Sequence, residues 1–550
     1  MGNQSFEAVS AEPTPLHELI SRILVAESPP PVRFNRLLST AGTLQGLNQR
    51  LEKQPLANFL NYTLRGIGQV IFVNNPISGA LILLALFIQS SWLGLMGLAG
   101  VLASTLTALM LGVDREPLRN GIFGYNGLLA GAALATFSAP SIGAGVWGWA
   151  IAAIFFAALT TVMMKFLGVW WAKTVNTPPL HLPFCIATLI CLALALWIPQ
   201  PWLHMGTAAT TAPAPALEGL RLATALPIGV GQVFLASKLI SGGLILLAVS
   251  ICTPLGALVG LLGGGLGILA SLLTGQDLNA LYAGLWGYNA VLCAMAIGGV
   301  FYAPNLRSIG IGAIAAFLSA LLGGALSQMF GMVGLPALTL PFCLVALAFF
   351  MGLQRSLPSL VPVALHAVTS PEEHRQRYQV AKDIISNFRL HVAAALFKKR
   401  HFYLFDGAST AIKGDLRYIF NSIDTDQSGS LSTQELAAHL RDANKALSED
   451  DLTYLFTCMD SDNNGVIDFE EFGELMLRHR RLMANYSEFV TYFLPIDAND
   501  DDVISLPEMN VAMASVGEPP LSEAESAFLV EQTKGRPLTW HRFIEMLLVI

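Results

Sequence analysis

The segment Gly68-Gln-Val-Ile-Phe-Val-Asn-Asn-Pro-Ile-Ser-Gly79 returns 163 positions later as Gly231-Gln-Val-Phe-Leu-Ala-Ser-Lys-Leu-Ile-Ser-Gly242. The same offset carries Gly124-Tyr125-Asn126 onto Gly287-Tyr288-Asn289, and an offset of 158 carries Leu182-Pro183-Phe184-Cys185 onto Leu340-Pro341-Phe342-Cys343. One unit has been duplicated with its landmarks in order, so the fold must hold two copies of one arrangement. The segments between the landmarks are strongly apolar, which places the duplication in a membrane, where internal repeats build a path between two pseudo-symmetric halves.

Charged residues make up 13% of the chain and hydrophobic residues 53%, against roughly a quarter charged in soluble proteins. The polarity lies before about residue 60 and after about residue 360, and the net charge of −7 owes much to the acidic C-terminal part. Nothing in this balance points to nucleic acid. Of the cysteines, Cys185, Cys191, Cys252, Cys293 and Cys343 stand in apolar segments, Cys458 outside them, and no two have a metal-ligand spacing. They read as small buried thiols. The start, Met-Gly-Asn-Gln-Ser-Phe-Glu, lacks the basic residues and short apolar core of a cleaved signal peptide, so insertion is expected to rely on the first membrane helix.

Ile77 to Val113 is apolar for 37 residues with a soft break at Gln89-Ser90-Ser91-Trp92, almost twice the roughly 20 residues that cross a bilayer. Two spans are expected there. Others follow at about 121–138, 143–168 and 182–199, and in the second half at about 240–256, 257–274, 284–301, 308–331 and 340–353, ten in all. Before each half a shorter segment, 57–72 or 220–235, ends in a Gly-x-Gly-Gln pattern and suits a half-helix that enters the membrane and stops. The basic residues Arg22, Arg33, Arg36, Arg50 and Lys53, with Arg355, His374, Arg375 and Arg377, put both termini on the cytoplasmic side. Five spans per half invert the second copy, so the half-helices enter from opposite faces.

Irregular backbone at membrane depth needs protein or a water-lined path to satisfy it. Gln69 and Gln232 stand at matching half-helix ends, and an amide both donates and accepts hydrogen bonds. Three residues on come Phe72 and Leu235, while the Gly-Tyr-Asn turns supply Tyr125 with Leu129 and Tyr288 with Leu292. Flat apolar walls beside a few amide and carbonyl groups suit a small, planar, neutral solute. Ions are poorly served, since no Asp, Glu or Arg recurs at these landmarks. Close helix packing alone would also favour glycines and prolines.

On these motifs, with Gly-Leu-Trp-Gly-Tyr-Asn (284–289) and Gly-Leu-Pro-Ala-Leu-Thr-Leu-Pro-Phe-Cys (334–343), residues 55–355 resemble the urea transporter family, as bacterial urea channels. The resemblance implies a homotrimer in which every protomer carries its own pore, and passive permeation through aromatic and leucine slots past a ladder of oxygens. It implies Gln69 and Gln232 in the ladder, Phe72, Tyr125 and Leu129 in one slot, and Leu235, Tyr288 and Leu292 in the other. A threonine is expected two residues before each Pro-Phe at the narrow centre. Thr339 fits, but the first repeat has His181, which either lines the constriction and offers a nitrogen to urea or is a structural histidine bonded to backbone. Leu235 stands where the first repeat has an aromatic, and Ser237-Lys238-Leu239 replaces Asn74-Asn75-Pro76.

After about residue 355 comes a linker with a helix rich in Lys and Arg around 371–400, suited either to anionic lipid or to solvent. Three segments then match calcium loops of the EF-hand type. Asp424, Asp426, Ser428, the Ser430 carbonyl and Glu435 form the first set, with Gly429 at the turn; Asp460, Asp462, Asn464, the Val466 carbonyl and Glu471 form the second, with Gly465. Ca²⁺ takes six or more oxygens, and the glycine permits the sharp turn at position 6. Leu431 and Ile467 at position 8 can join a short strand between paired hands. A third loop offers Asp497, Asn499, Asp501, the Val503 carbonyl and Glu508 with Asp502 in the glycine place, which points to a weaker site, and residues 532–543 read as a metal-free partner hand.

The fold expected is all-α: a cytoplasmic segment 1–54, a membrane domain 55–355 with repeats at about 55–199 and 220–355, a linker 356–412, and an EF-hand domain 413–550. The function expected is an inner-membrane urea channel with a cytoplasmic calcium-binding tail, and no nucleophile–base pair suggests an enzyme. The alternatives are a channel for ammonia or short amides, and a membrane-anchored calcium sensor.

Overall fold

The computed structural model describes residue 20 and residues 42–138, 144–175, 177–197, 203, 205, 216–275, 277–353, 360, 363, 370–396, 402–442, 449–462, 464–484, 503–515, 518–532 and 538–549. They fall into two compact units, one drawn from residues 34–376 and one chiefly from 377–550.

The described residues of the membrane unit are chiefly helical. Its first repeat runs α1 (Pro55–Gln69), α2 (Pro76–Gln89), α3 (Ser91–Met110), α4 (Tyr125–Phe137), α5 (Ala144–Val175) and α6 (Leu182–Ala195). The second runs α7 (Gly219–Gln232), α8 (Leu239–Cys252), α9 (Pro254–Thr274), α10 (Tyr288–Met295, continued by a π turn to Val300), α11 (Leu306–Gly331) and α12 (Leu340–Leu353). The caps are written in the sequence. Asn75 accepts from the amides of Ile77 and Ser78 with Pro76 as the first helical residue, and Ser90, at the expected break, accepts from Leu93. Thr253 and Asn305 cap α9 and α11 in the same way.

Of the ten segments expected to span, four hold helices that are long and apolar enough to cross among the described residues, lying within α3, α5, α9 and α11. The others are 14 residues or shorter. The half-helices α1 and α7 have 15 and 14 residues, about 21–23 Å at 1.5 Å per residue, and stop short of a hydrocarbon core of roughly 30 Å. Short helices leave backbone ends at membrane depth, where buried partners must satisfy them.

The pseudo-symmetry appears in the packing. Ser78 Oγ donates to the Ala248 carbonyl at 2.6 Å, and the matching Ser241 Oγ donates to the Ala85 carbonyl at 2.9 Å, so α2 and α8 clasp each other reciprocally. Gly79 and Gly242 admit the half-helices: a Cβ on either would sit 1.9 Å from the Leu64 oxygen or 2.1 Å from the Pro227 oxygen. The outer face carries exposed Leu84, Leu95, Ile151, Phe155, Leu258 and Ile314, apolar surface suited to lipid.

The tail unit takes up the chain within α13 (Pro371–Leu396). Its first pair of hands is α15 (Thr410–Ile423) with α16 (Thr433–Asp442), and α17 (Glu449–Met459) with α18 (Phe469–Ala484), preceded by the short α14 (Tyr403–Gly407). The loops are joined by antiparallel strands β1 (Ser430–Leu431) and β2 (Ile467–Asp468), with Leu431 opposite Ile467. Next come α19 (Leu506–Ser515), α20 (Glu523–Gln532) and α21 (Trp540–Val549), where Val503 bridges Thr539 and Ile504 N–H donates to the Leu538 carbonyl at 2.8 Å. An antiparallel bridge thus joins the segments that precede α19 and α21.

Candidate functional site

Each half-helix ends in a tight reversal made the same way twice. Phe72 and Leu235 take positive φ (61° and 59°), and the amides of Val73 and Ala236 bond back to the carbonyls of Gly68 and Gly231. A Cβ on those glycines would meet the Val73 oxygen at 2.2 Å or the Ala236 oxygen at 2.5 Å. Leu180 and Leu338, just before α6 and α12, also have positive φ. Non-glycine residues held there cost roughly 1–3 kcal/mol each and cluster at functional sites.

The reversals fix the polar groups. Gln69 Nε2 donates to the Asn120 carbonyl at 2.8 Å, and Gln232 Nε2 to the Ala283 carbonyl at 2.7 Å. Because a carbonyl can only accept, each amide turns its nitrogen toward that carbonyl through one N–H, and each Oε1 faces away as an acceptor. The Tyr125 hydroxyl donates to the Leu180 carbonyl and the Tyr288 hydroxyl to the Leu338 carbonyl, both at 2.8 Å. The strained leucines thus aim the oxygens that hold the two tyrosines.

A cavity of about 230 Å³ opens on the second-repeat side, lined by Gln232, Leu235, Tyr288 and Thr339 together with Leu129 and Phe184 from the first repeat. Five expected site residues meet there. Leu129, expected beside Phe72 and Tyr125, lies one turn on from Tyr125 in α4 and also lines this cavity. Leu292 is fully buried within the core. Phe72 packs edge-on against Phe301 and Phe342, with ring centroids 5.8 and 6.2 Å away, and Tyr125 lies 5.6 Å from His181.

His181 sits at the centre, 1% exposed. Its Nε2 is 3.1 Å from the Val70 carbonyl and its Nδ1 3.3 Å from Thr339 Oγ1. The carbonyl fixes the neutral tautomer: Nε2 carries the hydrogen and Nδ1 accepts from the Thr339 hydroxyl, whose oxygen lies 3.4 Å from Cys185 Sγ. Both ring nitrogens are engaged by protein, so the residue ties the half-helix end to the second repeat.

One residue of this region goes unremarked in the sequence. Arg65 is fully buried in α1, with hydrogen bonds to the carbonyls of Thr43, Leu44 and Asn74 and to the side chains of Asn61 and Asn74. The signal was there: an arginine inside a segment read as entering the membrane, where ionisable residues are expensive and functional.

In the tail, Asp424, Asp426 and Glu435 converge with ligand oxygens within 4.8 Å of one another, as do Asp460, Asp462 and Glu471. Gly429 and Gly465 make the turn at φ 83° and 84°. Asp424 is aimed by the amides of Ser428 and Gly429, and Asp460 by those of Asn464 and Gly465. Partial burial pushes the Glu435 carboxyl up, but the backbone and hydroxyl of Ser432 and the amides of Asp426 and Thr425 outweigh it and hold it down at about 2. An all-oxygen, multiply anionic donor set fits a hard divalent cation such as Ca²⁺. Of the third loop, Asp497, Asn499, Asp501 and Asp502 lie outside the described residues; Glu508 accepts from the Ser505 amide and hydroxyl.

Within the same unit α13 packs against residues that flank α20 and lie in α21. Phe388 packs on Phe543 at 5.7 Å, Ile384 and Val392 are buried, and Ser386 donates to Glu518 at 2.8 Å. Leu390 is half exposed, because it is two residues on from Phe388 and falls on another face of the helix.

The family model described as urea transporter matches residues 60–354, and the one described as EF-hand domain pair matches 413–477. Urea transporter 1 of Ovis aries is 35% identical over 351 residues, covering 61% of this chain and 88% of that protein. The same-named protein of Mus musculus is 34% identical over 359 residues, covering 63% and 90%.

Proposed function

The chain belongs to the urea transporter family, and on that premise we propose that it is a passive, channel-like path for urea whose flux responds to Ca²⁺ bound by the EF-hand tail. The carrying observation is the twofold arrangement of Gln, Tyr and leucine carbonyl around the central His181 and Thr339. Urea is flat and neutral, with four N–H groups and one carbonyl. Leu235, Leu129 and the rings of Tyr288 and Phe184 offer it flat apolar walls, and the Gln oxygens accept from its N–H edge. Both half-helices end at these glutamines, so the negative ends of their dipoles favour N–H donors and oppose anions. The exchange of water for these acceptors keeps the neutral solute's desolvation cost low.

Gln69, Phe72, Tyr125, Leu129, His181, Gln232, Leu235, Tyr288, Leu292 and Thr339 are proposed as the residues of the path. The protein is proposed to act as a homotrimer in an inner membrane, embedded in lipid, with both termini cytoplasmic; the basic flanks support that orientation. Two Ca²⁺ sites are proposed at the loops ending in Glu435 and Glu471, with a weaker third ending in Glu508. The packing of α13 against Phe543 and Glu518 supports regulation, since sensor hands that open on binding re-expose or recapture such a helix.

The test is stopped-flow urea flux into proteoliposomes of the full chain, with calcium or chelator on the tail side. Urea entry at the rate of empty liposomes sinks the transport reading. A flux indifferent to calcium sinks the regulatory one.

A further inference from the structure

The two half-helices hold their glutamines by the same backbone bond, and the first is braced by a polar side-chain network whose residues the second does not repeat. The positions matching Arg65, Asn74 and Asn120 at the repeat offset are Ile228, Ser237 and Ala283. Arg65 Nη1 donates to the Asn74 carbonyl and side chain at 2.8 Å each; Asn74 Nδ2 donates to Asn120 Oδ1 at 2.9 Å; and the Asn120 carbonyl takes the Gln69 amide at 2.8 Å. At its other end Arg65 Nη1 donates to the Thr43 carbonyl at 2.7 Å, and Thr43 Oγ1 donates to Glu373 Oε1 at 2.8 Å with the Thr43 amide at 3.3 Å. The acceptors named for Arg65 are all neutral, and a buried guanidinium needs its charge offset. The carboxylate that does so through Thr43 is Glu373, in the first turn of α13. Beside it Glu372 Oε1 accepts from the amide of Leu255 at 2.7 Å, at the start of α9.

We propose that Glu373 is a positioning residue for the path amide Gln69, acting through Thr43, Arg65, Asn74 and Asn120. The turn from which the chain runs on into the tail thereby sets the geometry of one half of the path. Nothing in the duplication requires the network, since Gln232 keeps its backbone bond without it. Loss of the Glu373 charge loosens Thr43, lets Arg65 turn, and releases Asn74 from Asn120, so the Asn120 carbonyl and the Gln69 oxygen shift together.

The flux arm of the test rests on the transport reading, and a second arm does not. Glu373→Gln and Asn74→Ala are compared with wild type in the full chain, with Ser237→Ala as the control in the repeat that lacks the network. By hydrogen exchange in detergent, Glu373→Gln should speed exchange of the backbone over 66–76 and 118–124 while leaving 229–239 as in wild type. In proteoliposomes it should lower urea flux severalfold and change the ratio of urea to methylurea flux, which mere loss of folded protein would not move. The double variant should be no worse than Asn74→Ala alone, because residues on one path do not add. Wild-type exchange over 66–76 in Glu373→Gln overturns the proposal whatever the flux, and so does strict additivity. Absent urea flux in wild type with the exchange effect present condemns the transport reading and leaves the positioning role standing.

Discussion

The two repeats of the membrane unit agree in backbone and disagree in side chain. Both reverse at a positive-φ residue after a glutamine, both tie that glutamine's nitrogen to a carbonyl 51 residues on, and both hold a tyrosine on a strained leucine oxygen. The centre is where they part, with His181 on one side and Thr339 on the other, and the first half alone carries the Arg65 network. Geometry that aims backbone oxygens cannot drift without losing the path, whereas a side chain that supplies one hydrogen bond can be exchanged for another that does so. Shared function thus resides in the reversals, and individual character in what fills the spaces between them.

The largest break in this comparison is to fill the centre. Thr339→Trp places an indole against His181 and should bring urea flux down to the rate of empty liposomes, with the protein still folded and of unchanged oligomeric state by size exclusion. Full flux in a folded variant would mean that the solute passes elsewhere. The reversals come next. Gly68→Ala and Gly231→Ala should both destabilise, at the upper end of the roughly 1–3 kcal/mol usual for overpacking, because the obstructing atom is backbone oxygen in each. Thermal unfolding in detergent that spares one and not the other would show that the repeats bear unequal strain.

The tail offers the same comparison on a smaller scale, as two loops related by the strand pair. Glu435→Gln and Glu471→Gln should each remove about one Ca²⁺ from the stoichiometry measured by calorimetry, since each carboxylate closes its own oxygen cluster. An unchanged count in both variants would place the ions elsewhere. A gentler probe is Tyr125→Phe against Tyr288→Phe. Each leaves a buried leucine carbonyl with only the longer bond, 3.5 Å, from Asn126 or Asn289, at a cost of about 1–3 kcal/mol, so the loss in stability should be similar on the two sides.

How much of this was legible in the sequence follows the same division. Apolar length and the repeated motifs pointed to the helices, the half-helices and the calcium loops, because those depend on composition and spacing. The helix lengths were legible unevenly: α12 runs over the residues expected, 340–353, whereas α6 was expected to reach about residue 199 and stops at Ala195, since apolar content does not say where a helix must stop. The left-handed leucines could not be found at all, for nothing in the identity of Leu180 or Leu338 announces positive φ. Arg65 was findable by its charge, but its role depends on Thr43 and Glu373, which are distant in the chain and brought together only by the fold.

The smallest effect is expected where the repeats already differ most. His181→Thr restores the symmetry of the centre: the hydroxyl can meet Thr339, and the Val70 carbonyl, now occupied by Nε2–H, is released to face the path. Two changes then oppose each other. The half-helix end loses a neutral hydrogen bond of about 1 kcal/mol, while a urea N–H gains an acceptor where the first repeat had none to spare. Urea flux should therefore stay within about threefold of wild type, less than the tenfold that 1.4 kcal/mol would bring, while the smaller side chain lets methylurea pass more readily. His181→Phe separates the two effects, because it keeps a ring and removes both nitrogens, leaving Thr339 without its acceptor and Val70 without its donor. It should be the less stable of the pair and no more permissive than wild type. A tenfold fall in urea flux for a stably folded His181→Thr would show that the imidazole itself handles the solute, and that the asymmetry at the centre is functional.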